Sequence, residues 1–341
     1  MNYSGQIQLS VVVARAIRIG ASTALAAIVV ASCSAISRSQ SFAQPAANSE
    51  RRVEEISIRM RDGRELSAVV SSPAAPGQYP VIVSVHGGMG DRPIEVMRDA
   101  AAPDSDSPTI QMFNQQDWVI LAPDFRKAWF GAEETDIVDA ISFASQLPDV
   151  DPEKVAVFGG SNGGRLSLRA SIIAPQSMGC VVAGSPFLTN PVVFFEGELS
   201  QAPWSTASDR AQSWMSTARD RLRPLVSRAA GKTSSAYEAF LTDHSVEENA
   251  ARIEARVLLL TSRADEQVPH DFVQGLIDRL HAAGNPAEVL TLEHSLHGFY
   301  WGREGEFGAR VGRGEKTPAQ LEEEARTRQK VLSFLNECFE G

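Results

Sequence analysis

Positive charge is in short supply in this chain. Its 32 lysines and arginines face 42 aspartates and glutamates, a formal net charge of −10 at pH 7. Nucleic-acid binding needs a basic stripe to displace counterions from phosphates, and no such stripe is present. Cysteine is scarce too, with three in 341 residues. No Cys/His spacing suits a metal site, so neither a metal nor another cofactor is expected. Internal repeats are lacking, as are runs of like charge long enough for an interaction tail. Glu322-Glu323-Glu324 reads as the solvated start of a terminal helix. What remains is ordinary for a globular protein: 43% apolar and 22% charged residues. The length suits one large α/β domain with insertions, or two smaller domains.

The first residues read as separate from the fold. Arg15 and Arg18 precede Ile19 to Ala31, an uncharged, alanine-rich and mostly apolar stretch. That is the order of a secretory signal. Val30-Ala31-Ser32-Cys33 is similar to a bacterial lipobox, whose cysteine is lipidated and becomes the mature N-terminus. On this preferred reading residues 1–33 are a signal and Cys33 attaches the chain to a membrane. The protein is then exported from a bacterial cytoplasm, as a periplasmic or outer-membrane lipoprotein. Ser41-Phe42-Ala43 offers cleavage after Ala43 and plain secretion instead. Because the uncharged stretch runs on to Ile36, an uncleaved anchor is a third reading. Residues 34–50, rich in Ser, Ala and Gln, read as a disordered tether. Cys180 falls in an apolar strand and Cys338 in the last helix. An oxidising compartment would permit a disulfide between them, but the reading adopted here is two buried thiols.

Alternation of apolar and polar residues predicts strands over Val53 to Met60 and Glu65 to Val70, joined by a turn at Asp62-Gly63. Pro80 leads into Val81 to Val85, a buried central strand. A helix around Pro93 to Ala100 and a strand over Trp118 to Ala122 follow. Ala132 to Gln146 predicts an amphipathic helix with Ile137, Ala140, Ile141 and Ala144 on one face. Next come a strand over Lys154 to Phe158, a helix over Arg165 to Ile173 and a strand over Cys180 to Ala183. From about 186 to 250 the rhythm breaks into polar and amphipathic segments without a clear strand, read as a helical cap insert. Strand, helix, strand and helix then cover Val257 to Thr261, His270 to Ala283, Ala287 to Leu292 and Pro318 to Phe339. Such alternation after an opening hairpin implies a mostly parallel sheet with helices on both faces.

Gly159-Gly160-Ser161-Asn162-Gly163-Gly164 stands between a predicted strand and a predicted helix. G-x-S-x-G in that setting is the pattern of a nucleophile elbow, in which a tight turn exposes the serine hydroxyl. By itself the motif also describes a tightly packed or phosphate-binding turn. A serine nucleophile needs a base, and the base an orienting carboxylate. Among six histidines, His294 and His297 follow the last predicted strand, and His297 is preferred because Gly298 lets the loop turn. Asp265 follows the preceding strand, with Glu266 and Asp271 as rivals. The order Ser, Asp, His at successive strand ends makes the set more specific than any member. His86-Gly87-Gly88-Met89-Gly90 follows the first parallel strand. It and Asn162 would supply two oxyanion-binding N–H groups, with Gly88 preferred over Met89. His86 reads as structural.

At these residues the chain resembles the α/β-hydrolase superfamily, from the hairpin at residue 53 to the end. The elbow, the H-G-G loop, D-x-x-V-P at Asp265 and H-G-F at His297 together look like its prolyl oligopeptidase and dienelactone hydrolase branch. Asparagine after the serine is the form seen in prolyl oligopeptidases. The resemblance implies an α/β-hydrolase domain over 51–341, with catalytic Ser161, Asp265 and His297 and oxyanion donors Asn162 and Gly88. The β-propeller of prolyl oligopeptidases has no room here. Ser262 stands where a glycine usually precedes D-x-x-V-P. The expected activity is a serine hydrolase cleaving small carboxylic esters through an acyl-enzyme. A serine peptidase or aminopeptidase acting on short peptides is the alternative. Glu196 and Glu198 would then clamp an amine, or simply form a solvated face. A non-catalytic binding protein of this fold is the third reading. Trp204, Trp214, Phe194 and Phe195 either line a substrate pocket or form the insert's own core. Substrate-binding residues and oligomeric state are not legible.

Overall fold

A computed structural model describes residues 50–231, 233–303 and 315–340. The signal, the lipobox with Cys33 and the site after Ala43 lie outside these residues, as does the tether up to its last position. Eight strands form one sheet: β1 (Arg51–Arg59), β2 (Glu65–Pro73), β3 (Tyr79–Val85), β4 (Val119–Pro123), β5 (Val150–Gly160), β6 (Cys180–Gly184), β7 (Arg256–Ser262) and β8 (Glu288–Leu292). Their spatial order is β1-β2-β4-β3-β5-β6-β7-β8. β1 pairs antiparallel with β2 and β2 with β4, and every later pair is parallel. This is the α/β-hydrolase arrangement. The parallel pairs need crossovers, and helices on both faces supply them.

Side chains alternate across the sheet, so β3 divides between two cores. Val81, Val83 and Val85 enter one apolar cluster and Ile82 the other. The first face is covered by α3 (Ala132–Ala144), α4 (Asn162–Ile173) and α8 (His270–Ala282). Ile137, Ala140, Ile141 and Ala144 of α3 are all buried there, the face expected from their spacing. Met97 of α1 (Ile94–Asp99), Phe113 of α2 (Pro108–Asn114) and Phe334 of the last helix, α9 (Pro318–Glu340), cover the second. Burying each such aliphatic or aromatic side chain is worth roughly 1.5–3 kcal/mol.

Helix α2 was not expected from the sequence. Ser107 caps it by accepting from the Ile110 N–H, and Pro108 opens its first turn. Seven residues are too few to show a helical period, so only these end signals were readable. Helices also fill the long insert between β6 and β7: α5 (Pro191–Glu196), α6 (Asp209–Ala230) and α7 (Ser234–Asp243). Asn190, Ser208 and Thr233 cap their N-termini through side-chain oxygens. Trp204 is fully buried and packs on Phe194 and on Phe272 of α8. Phe195 is buried beside Phe194. Three of the four aromatics considered for a pocket are thus core. Trp214, 37% exposed and edge-on to Phe187, is not.

One expectation is corrected. Cys180 and Cys338 are not separate thiols but a disulfide, with Cα atoms 6.4 Å apart and a sequence separation of 158. Sheet order decides this: β6 starts beneath the end of α9, which brings together two cysteines that no sequence spacing relates. Closing so long a loop restricts the unfolded chain by up to about 5 kcal/mol in the chain-entropy account. Cys338→Ser is expected to lower the thermal midpoint of the oxidised protein, and reductant to lower that of the wild type to match. A midpoint insensitive to both treatments would refute the assignment.

Candidate active site

Strand β5 ends at Gly160 and α4 begins at Asn162, so Ser161 alone makes the turn. Its φ of 55° and ψ of −122° are strained for a residue with a side chain. Three backbone hydrogen bonds hold it. The Ser161 N–H donates to the Gly184 carbonyl at 2.8 Å, and its own carbonyl accepts from Phe187 N–H at 3.0 Å and Arg165 N–H at 3.1 Å. Asn162 opens the helix, so its N–H has no acceptor within α4 and faces the turn with the positive helix end.

Asp265 lies just beyond β7 and His297 just beyond β8. The structure brings them together: His297 Nδ1 is 2.9 Å from Asp265 Oδ2 and 3.1 Å from Oδ1. Both are buried. The N–H groups of Gln267 and Val268 also donate to Asp265 Oδ1, each at 2.8 Å. Burial would raise the Asp265 pKa, but the charge and hydrogen bond of His297 and the Val268 N–H outweigh it. The carboxyl is held below its ordinary value and stays ionised. Gly298 takes a φ of 92°, the turn that swings the imidazole back toward the sheet.

The rivals have other places. Glu266 is buried and accepts the backbone N–H of His297 at 3.0 Å, so it holds the loop. Asp271 stands in the first turn of α8. The His294 side chain is exposed, while its N–H donates to Glu323 of α9 and its carbonyl accepts from Gln320. Ser295 Oγ also donates to Glu323, at 2.6 Å. Helix α9 thereby clamps the loop that carries His297.

The H-G-G loop follows β3 and meets the elbow. A Cβ on Gly87 would come within 3.4 Å of the Ser161 Cβ. Asn162 Nδ2 donates to the Gly88 carbonyl at 2.7 Å. His86 is structural: it stacks on Phe125 with centroids 4.4 Å apart, and its Nε2 is 3.2 Å from Asp124. Asp124 in turn accepts the Arg92 N–H, which fixes the far side of the loop.

Two features escaped the sequence. One is Tyr300, three residues after His297, whose hydroxyl is 3.3 Å from His297 Nε2. Its ring lies where side chains on Gly160 and Gly184 would be, so both positions exclude even alanine. Glycine at the x of G-x-S-x-G was the available signal. The other is a buried charge network beneath the elbow. Arg165, fully buried, donates to Asn162 Oδ1 at 3.0 Å, Glu134 at 2.8 Å and Glu133 at 3.0 Å. Arg169 and His244 also bond to Glu134. His244 ends α7, so this network ties the insert to the Asn162 side of the elbow.

The model of the prolyl oligopeptidase family matches residues 121–309, more than half of the chain. The chain belongs to that family. An uncharacterized peptidase, YtmA, of Bacillus subtilis is 22% identical over 248 residues, which cover 70% of this chain and 84% of that protein. A puromycin hydrolase has a similar structure, with a TM-score of 0.61 at 17% identity. The match covers 85% of this chain, which spans only 39% of that protein's length. An acetyl xylan esterase from Paenibacillus matches at a TM-score of 0.53 and 18% identity, over 86% of each chain. Membership of the family makes the protein a hydrolase of the serine peptidase and esterase type.

Burial would raise the Glu134 pKa, but the His244 hydrogen bond and the charges of Arg165 and Arg169 bring it down to about 2. The folded value lies below the ordinary 4.5, so the stabilisation is complete above about pH 5 and fades as pH falls toward 2. Its size is on the order of 3 kcal/mol. Glu134→Gln is expected to lose about 3–5 kcal/mol of unfolding free energy at pH 7, measured by denaturant titration, because Arg169 loses its buried carboxylate and Arg165 one of its two. Its stability should also fall less than the wild type's between pH 5 and pH 2. Equal acid sensitivity in both proteins would contradict this account.

Proposed function

We propose that the protein cleaves small carboxylic esters through an acyl-enzyme on Ser161. The observation that carries this reading is the hydrogen-bonded His297–Asp265 pair, with the Tyr300 hydroxyl in reach of both His297 Nε2 and the strained Ser161. His297 Nε2 takes the Ser161 proton as Oγ attacks the ester carbonyl, then delivers it to the departing alcohol. Asp265 holds the tautomer with hydrogen on Nδ1 and stabilises the imidazolium. The N–H groups of Asn162 and Gly88 receive the oxyanion, each worth roughly 10²–10³ in rate. Water then attacks the acyl-enzyme with His297 again as base.

Support for an ester over a peptide comes from the insert. An aminopeptidase needs carboxylates free to hold a peptide amine. Glu196 instead pairs with Arg223 at 3.0 Å on the surface, and exposed Glu198 accepts from Gln201. The esterase comparison over 86% of both chains agrees with a small ester substrate. Family membership and the Bacillus subtilis peptidase keep peptide bonds as the second reading. Export as a lipoprotein at Cys33, or by secretion, is part of the proposal. The Cys180–Cys338 disulfide supports it, since such bonds persist in oxidising compartments.

Ser161→Ala is expected to lower hydrolysis of a short-chain nitrophenyl ester by at least about 10³-fold and to abolish fluorophosphonate labelling. Retained labelling would rule out Ser161 as the nucleophile. Faster turnover of aminoacyl anilides than of the matching esters would transfer the assignment to a peptidase.

A further inference from the structure

The Tyr300 hydroxyl is a second partner for the catalytic face of His297. The phenol ring is buried between Gly160 and Gly184, which are paired in register at the carboxyl ends of β5 and β6. It meets the His297 ring edge-on, with centroids 5.9 Å apart and planes at 89°. The hydroxyl lies 3.3 Å from His297 Nε2 and also within reach of the Ser161 side chain. The backbone is anchored as well, since Thr109 Oγ1 donates to the Tyr300 carbonyl at 2.8 Å and Ser107 Oγ to the Trp301 carbonyl at 2.6 Å. A phenylalanine would fill the same slot without burying a hydroxyl, so packing alone does not account for tyrosine here. Burial and the nearby Asp265 charge hold the phenol well above its ordinary pKa, so it remains a neutral donor.

We propose that Tyr300 is a positioning residue for deacylation, keeping His297 Nε2 aimed at the reaction centre while Ser161 is esterified. This rests on the acyl-enzyme reading above. To hand over its proton in acylation, Ser161 Oγ–H must hydrogen-bond to Nε2. Once the acyl group is attached, that oxygen carries no hydrogen and its bond to Nε2 is gone. The imidazole must nevertheless hold its place to take a proton from the incoming water. Acylation leaves the Tyr300 hydroxyl unchanged, so it holds Nε2 in place until the hydrolytic water displaces it from the single lone pair of that nitrogen. Tyr300 itself forms and breaks no covalent bond. Water adds to the acyl carbon, its proton passes to Nε2, and that proton returns to Ser161 Oγ as the acid leaves.

The test is Tyr300→Phe, which keeps the ring in its slot. With a nitrophenyl ester whose deacylation limits turnover, kcat is expected to fall roughly fivefold, the worth of one hydrogen bond. KM should fall in parallel, with kcat/KM, the pre-steady-state burst rate and the fluorophosphonate labelling rate all within about twofold of wild type. Those last three report acylation alone. Thr109→Val serves as the control, because it loosens the Tyr300 backbone and leaves the hydroxyl in place. It should not reproduce the split between kcat and kcat/KM. An unchanged kcat in Tyr300→Phe would overturn the proposal. So would equal losses in kcat, kcat/KM and labelling, or the same split in Thr109→Val. Loss of the underlying reading looks different: labelling would then survive Ser161→Ala whatever stands at position 300.

Discussion

Everything at the candidate site depends on a one-residue turn. Strand β5 must end and α4 must begin around a serine held at φ 55° and ψ −122°. No side chain favours that conformation, so the surroundings must over-determine it. They do so from three directions. Backbone bonds from β6 and the residues after it grip Ser161 itself. The H-G-G loop closes against it from the β3 side. The Tyr300 ring fills the floor, so near to β5 and β6 that only glycine fits at 160 and 184. Strain at Ser161 is thus matched by close packing around it.

Below the turn, the structure uses charge where packing alone would have served for stability. Replacing a buried ion-pair network with apolar side chains is often neutral or stabilising. Yet Arg165, Glu133 and Glu134 sit fully buried in the layer that supports the elbow. Their geometry gives them a directional task. Arg165 fixes the Asn162 amide, which in turn holds the Gly88 carbonyl. His244 carries the same network into the insert. Hydrogen bonds specify orientation in a way that apolar contacts cannot, and this network fixes Asn162 and the H-G-G loop relative to each other.

The fold was legible in the sequence because periodicity is local. Val81 to Val85 and the α3 face each announced their burial within a few residues, and β5, the elbow and α4 were readable as one strand-turn-helix unit. Ser161, Asp265 and His297 were readable for a related reason. Each sits directly after a strand, and parallel strands deliver their carboxyl ends to one edge. Short α2 was missed, since seven residues carry no period. Tyr300 and Arg165 were missed because an isolated tyrosine or arginine gives no pattern of its own. The Cys180–Cys338 pairing is not legible in the sequence, because nothing in their spacing reveals that β6 begins under the end of α9.

The sequence by itself determined the alternation of strands and helices, the family and the order of the candidate catalytic residues, since these follow from local pattern and motif. Only the tertiary structure decided which groups touch. It paired Asp265 with the His297 ring, set Glu266 on the His297 backbone N–H, and sent the His294 side chain to the surface. It also brought Tyr300 under Ser161 and joined the two cysteines. The physical reason is the same in each case: contacts between distant segments depend on sheet order and register, which no single segment encodes.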